Sequence, residues 1–175
     1  KAASAHTHAL SDLTQSAATV GQAVVWNGTN WVPGSRREML TAARTYYVRT
    51  DGSNLNDGLS NTSGGAFLTI QHAVDTASKL DNGGYDITIR IGAGTYTAPI
   101  QLKSYVGSGK IIIRGDLANM TSVLVSVTGD CFSGVIGSLY QIQYMKLVSS
   151  SYGLSCAFGG IIEFDNIDFG ACTAS

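Results

Sequence analysis

Charge is scarce in this sequence. Aspartate, glutamate, lysine and arginine make up 13% of its 175 residues, about half the usual ~25%. The two signs nearly cancel, to a formal net charge of −1. That balance argues against nucleic acid and acidic membranes as partners, because both require a basic field. No apolar run reaches the roughly eighteen residues of a membrane span, so membrane insertion is not expected. The first residues also lack a basic segment followed by an apolar stretch, and the chain reads as soluble and unexported. Cysteine is limited to Cys131, Cys156 and Cys172, in no zinc spacing. This argues against a disulfide framework or thiolate metal site and for reduced structural thiols, the odd one free to crosslink chains. A glycine-rich phosphate loop, a nucleophile elbow and an HExxH motif are all missing.

What is present is 44% hydrophobic residues and 21 glycines. With so few charges, this describes a poorly hydrated surface, buried against copies or neighbours, or a long thin interior. The length suits one domain with an appendage. The abrupt ends, KAASAHT and FGACTAS, read as those of a piece of a longer protein.

Residues 1 to about 20 are rich in Ala, Ser and Thr without periodicity and read as a connector. In QAVVWNGTNWVPG, Asn27-Gly28 between aromatic and β-branched residues predicts a hairpin with a two-residue type I′ turn. Trp26 and Trp31 then need burial that the hairpin alone cannot supply, and a second copy of the chain is the expected partner. A sugar-stacking platform is the alternative. SRREMLTAARTYY reads as a short helical or extended linker.

From Tyr46 the texture changes to a strand, a turn-rich loop and a helix over 69–80 with Thr69 as N-cap. Ile70, Ala73, Val74, Ala77 and Leu80 share one face of that helix, and Gly83-Gly84 is expected to end it. Beyond it lie only short alternating runs separated by Gly and Ser, and they repeat. Phe132, Tyr140, Ile142, Met145 and Leu147 recur as Leu154, Ile162, Phe164, Ile167 and Phe169 at a constant offset of 22. The same offset is expected to set Val123 and Val125 against Met145 and Leu147, and Ile89 and Ile91 against Ile111 and Ile113. From Ile113 to Ile142 the interval is 29, which places a seven-residue insertion around Leu117–Thr121. Such periods mean a solenoid, here a parallel β-helix whose coils stack their inward aliphatics. Ile142, Leu147, Phe164 and Phe169 are expected to point inward and Gln143, Glu163 and Asp168 outward, with a turn at Asp165-Asn166. The helix is expected to cap the first coil, whose edge otherwise recruits another sheet.

These residues carry a resemblance. HTHALSDLTQ with GQAVVWNGTNWVPG resembles the N-terminal stalk segments of bacteriophage tail fibres and tailspikes. YVRTDGSNLNDGLSN, AFLTIQHAVD, IRIGAGTY and IIIRG resemble the opening of the pectate-lyase-like right-handed β-helix domains of such spikes. The fold class expected is mostly β: an extended trimeric N-terminal stalk with a small hairpin over residues 1–44, then a helix-capped right-handed parallel β-helix over 45–175. The resemblance implies a homotrimer in the virion that joins other tail or baseplate proteins by its N-terminal side. It also implies adsorption to host surface glycan further along, mostly beyond residue 175. A depolymerase of bacterial surface polysaccharide and a secreted β-helix adhesin are the alternatives.

Glu163, Asp165 and Asp168 are the acids available for cutting glycans. They read as outer-face solvated carboxylates, and no catalysis is expected in these residues. DGSNLNDG, with Asp51, Asn54, Asn56 and Asp57, is similar to calcium loops but lacks their closing glutamate, and reads as turn-building. His72 is expected at the surface or in a contact between chains. His6 and His8, two apart, share a face in extended backbone. Around a threefold axis six imidazoles converge, a cage suited to one iron or another octahedral transition metal per trimer rather than tetrahedral zinc. The resemblance to phage fibres implies this use of His6-Thr7-His8, and a solvated polar spacer is the alternative.

Overall fold

The computed structural model describes residues 22–26, 29, 31–35, 37–134, 139–157 and 159–172. His6 and His8, and the side chains of Trp26 and Trp31, lie outside the described residues. The chain divides into two compact units between Glu38 and Met39. In the first, β1 (Gln22–Trp26) and β2 (Trp31–Ser35) pair antiparallel. Their register pairs Trp26 with Trp31, which does not set Asn27-Gly28 alone between the strands; Asn27 and Gly28 themselves lie outside the described residues.

The second unit is mostly β with one helix and a parallel sheet that curls. Its elements are β3 (Arg44–Val48), α1 (Ile70–Ser78), β4 (Ile87–Ile91), β5 (Gly94–Tyr96) and β6 (Ile100–Gln101). There follow β7 (Ile111–Arg114), β8 (Val123–Val127), β9 (Phe132–Gly134), β10 (Leu139–Ser149), β11 (Leu154–Cys156) and β12 (Ile161–Cys172). The chain visits three parallel ladders in rotation. The first is β3-β4-β7-β10, the second β5-β8-β10 and the third β6-β9-β11. β10 pairs with β7 through its first half and with β8 through its second, and β12 lies along β10. One strand therefore belongs to two ladders, and the sheet has to bend within it.

The bend sits at one residue. Tyr144 has φ 56° and Asn166, 22 positions on, has φ 51°. A single left-handed residue turns the strand through a corner without breaking the ladders on either side. Asparagine tolerates this conformation; for tyrosine it costs about 1–2 kcal/mol. Gly115 lies against the corner, where a Cβ would stand 2.0 Å from the Tyr144 carbonyl oxygen.

Alternation along each strand builds the core. Tyr46, Ile89, Ile113 and Ile142 stand in register on successive strands and all are buried. Tyr96, Val125 and Leu147 form the corresponding buried column on the second ladder. Each fully buried aliphatic contributes about 1.5–3 kcal/mol. Thr69 caps α1 by accepting from the His72 N–H, and Ile70, Ala73, Val74 and Ala77 enter the core. The helix ends at Ser78, ahead of Gly83-Gly84. Lys79 and Leu80 donate to Thr76 and Ala77, a tightened last turn that keeps Leu80 buried. His72 packs edge-on against Phe67, with ring centroids 4.8 Å apart, and so belongs partly to the fold's own packing.

The 22-residue register holds for β8 with β10, for β9 with β11, and for β10 with β12 as far as Leu147, after which it shifts by one so that Ser149 meets Cys172. The insertion falls between β7 and β8, where Met120–Ser122 forms a turn of 3-10 helix. β4 differs: Ile89 pairs with Ile113, an offset of 24 where 22 was expected. Phe164 and Phe169 keep the inward register of Ile142 and Leu147, yet they are 58% and 45% exposed. No strand among the described residues covers the far side of β12. Gln143 follows the outward column but is buried, its Oε1 accepting from Arg114 Nε at 3.0 Å.

Candidate functional site

The outer face of the first ladder carries a column of polar side chains. Because Ile87, Ile89 and Ile91 on β4 and Ile111 and Ile113 on β7 face inward, Arg90 and Arg114 must face out. They are paired in register, in a column that runs Tyr47, Arg90, Arg114, Gln143, Asp165. Just past the ends of β4 and β7 a cleft of about 150 Å³ opens among Tyr47, Asn61, Arg90, Gly92, Gly115 and Asp116. Asp116 accepts from the Ala118 N–H and the Ser122 hydroxyl, and these bonds hold its carboxyl below the usual carboxylate range. Arg90 forms no hydrogen bond or ion pair among the described residues and acts on Asp116 only through space.

A second cleft, about 230 Å³, lies beside the start of α1 among Thr50, Thr69, Gln71, Thr95, Tyr96 and Ile100. Its polar groups are largely engaged by the fold. Gln71 donates to Asp75 and to the Gln101 carbonyl and accepts from the Gln101 N–H. The Tyr96 hydroxyl donates to the Gly92 carbonyl at 2.9 Å, and burial pushes its pKa up to about 12.

The acids singled out in the sequence stand on the outer surface, each held by a lysine or exposed. Glu163 pairs with Lys110 at 2.7 Å, and Asp168 with Lys146, its register partner one strand below, at 3.1 Å. Asp165 is exposed. The structure does not bring them together around a shared groove: Glu163 lies on the first ladder and Asp168 beyond the Asn166 corner.

In DGSNLNDG the Asx side chains serve the backbone. Asn54 Oδ1 accepts from the N–H groups of Leu68 and Thr69, which ties the loop to the cap of α1. Asn56 donates to the Ser63 and Ala66 carbonyls, Asp57 accepts from the Leu59 N–H, and Asp51 pairs with Arg49 at 2.8 Å. Each of these side chains is engaged in a turn or ion-pair role, in line with the turn-building reading. All three cysteines are free thiols. Cys131 is buried, and that burial pushes its pKa up to about 11, which keeps it protonated and inert.

The arginine column was not singled out in the sequence. Its signal was present in ITIR and IIIR, the same Ile-Arg ending on two strands that the structure sets side by side. Comparison with family models, with curated proteins and with solved structures finds no match.

Proposed function

We propose that this chain is part of a trimeric bacteriophage tail fibre or tailspike, a virion component that joins the tail and carries the particle to the host surface. In this reading residues 1–44 are the attachment stalk, and the three ladders are the opening coils of a right-handed parallel β-helix shaft with α1 as its cap. The observation that supports it most is the in-register stacking through a repeated one-residue corner, at Tyr144 and again at Asn166. Stacking of this kind builds a straight, stiff rod, which suits a spacer between particle and cell. The stalk motifs preceding the ladders are the second support. In the trimer, His6 and His8 of three chains surround one iron or a similar octahedral metal on the axis, supplying a staple where the sequence offers no core. Host glycan contacts lie further along the shaft.

An antiserum raised against the purified chain tests this reading on particles of the phage that encodes it. Decoration of the tail in electron micrographs, with blocked adsorption to the host, is the expected result. Bare particles with normal adsorption would overturn it.

A further inference from the structure

The outer column of the first ladder places two arginines in register on adjacent strands, with their Cα atoms about 4.8 Å apart. Like charges directly opposite on one sheet face destabilise it. In a chain with 11 basic residues out of 175, such stacking is conspicuous. The Asp116 carboxylate, on the rim of the adjoining cleft, is occupied by Ala118 and Ser122 and among the described residues forms no ion pair with either arginine. Among the described residues Arg114 spends only its Nε, on Gln143, and Arg90 spends none of its donors. Asp165, in register with Gln143, stands two strands beyond Arg114. Tyr47 and Asn61 border the adjoining cleft, and their side chains form no hydrogen bond among the described residues. The column thus presents unspent guanidinium donors, Arg90 lining the cavity and Arg114 one strand over; the Asp116 carboxylate shares that rim and acts on Arg90 through space, but among the described residues it forms no ion pair with either arginine.

We propose that Arg90 and Arg114 form a binding site for one oxyanion group, a carboxylate or phosphate carried on a larger ligand, seated where the column meets the cleft. A guanidinium presents paired N–H groups that match two oxygens of such a group, and a charge-assisted pair of this kind is among the stronger hydrogen-bonding arrangements. Two stacked guanidinia engage an oxyanion from adjacent strands, and the bound charge relieves their repulsion. The inference stands on the column alone and is independent of the tail-fibre reading.

The test is a titration of the full chain, labelled at arginine, with inorganic phosphate and separately with glucuronate, ionic strength being held constant with sodium chloride. The Nε–H resonances of Arg90 and Arg114 are expected to move along a saturating curve with at least one of the two anions. Saturation by phosphate alone assigns a phosphate-type ligand, and saturation by glucuronate alone a sugar carboxylate. Arg90→Gln and Arg114→Gln are each expected to weaken the midpoint roughly tenfold. Lys79→Gln, at the exposed end of α1, is expected to leave it unchanged. Thermal unfolding gives a second readout: the anion that binds should raise the midpoint of the wild type and not of either arginine variant. In chloride alone Arg90→Gln should melt no lower than the wild type, because it removes a like-charged neighbour. Shifts that never saturate, that glucose reproduces, or that survive in both variants would overturn the proposal.

Discussion

Ile142 and Phe164 occupy the same inward column on adjacent strands, so truncating each to alanine measures how far the core extends along the stack. Ile142 is fully buried between neighbours on both sides. Its loss removes buried methyl groups and leaves a cavity, at a cost of about 2–5 kcal/mol. Phe164 is 58% exposed, so roughly two-fifths of a ring that buries about 200 Å² when covered is removed from water. At about 25 cal/mol per Å² this amounts to no more than ~2 kcal/mol, and a compact unfolded chain reduces it toward ~1. The edge-on contact with Phe169, centroids 5.7 Å apart, is included in that remainder. Guanidinium unfolding at fixed protomer concentration reads both values, with an unchanged slope showing that the cooperative unit is the same. Ile142→Ala is expected to cost at least twice as much as Phe164→Ala. Equal losses would refute the reasoning, since they would mean that the β12 side of the column is as closed as the middle.

High pH should erode stability through buried acids that the fold keeps protonated. Burial raises Tyr96 from 10.0 to about 12 and Cys131 from 9.0 to about 11, so the folded state retains protons that the unfolded chain has lost. Stability is therefore full below about pH 9 and falls toward pH 12, by about 1.4 kcal/mol per pH unit for each group in its window; a flat profile of urea midpoints would contradict this. Gly115→Ala should lower stability by at least ~1–3 kcal/mol, because its Cβ meets the Tyr144 carbonyl oxygen at 2.0 Å; an unchanged melting curve would show that the corner yields freely. Asn54→Ala should cost about 1–3 kcal/mol by orphaning the Leu68 and Thr69 N–H groups, whereas Asn54→Asp, which keeps the acceptor, should retain most of the stability in the same melts.

The stacking was legible in the sequence where coils have equal length. Between β10 and β12 the inward residues from Tyr140 to Leu147 meet their counterparts 22 positions on, so an alignment by eye finds the register. Between β4 and β7 it could not. Ile87, Ile89 and Ile91 alternate with polar residues, and a slip of two positions places isoleucine on isoleucine on the same face. Periodicity resolves which face a residue takes but not a two-residue shift along the strand. Burial was the second blind spot. Phe164 faces as its spacing dictates, but burial depends on what lies on the next strand, which no local pattern encodes. Tyr144 was the third, since a bulky residue in the left-handed region has no composition signal of the kind that Asn166 offers. The outward acids were recognised as surface groups, while their lysine partners come from other strands and appear only when the ladders are assembled.

The trimer is the claim on which the tail reading turns, and the molar mass of the chain in solution tests it most directly. Light scattering on size-separated protein at micromolar concentration should give three times the 18.3 kDa of one chain, unchanged on dilution. A folded species at 18.3 kDa would contradict it.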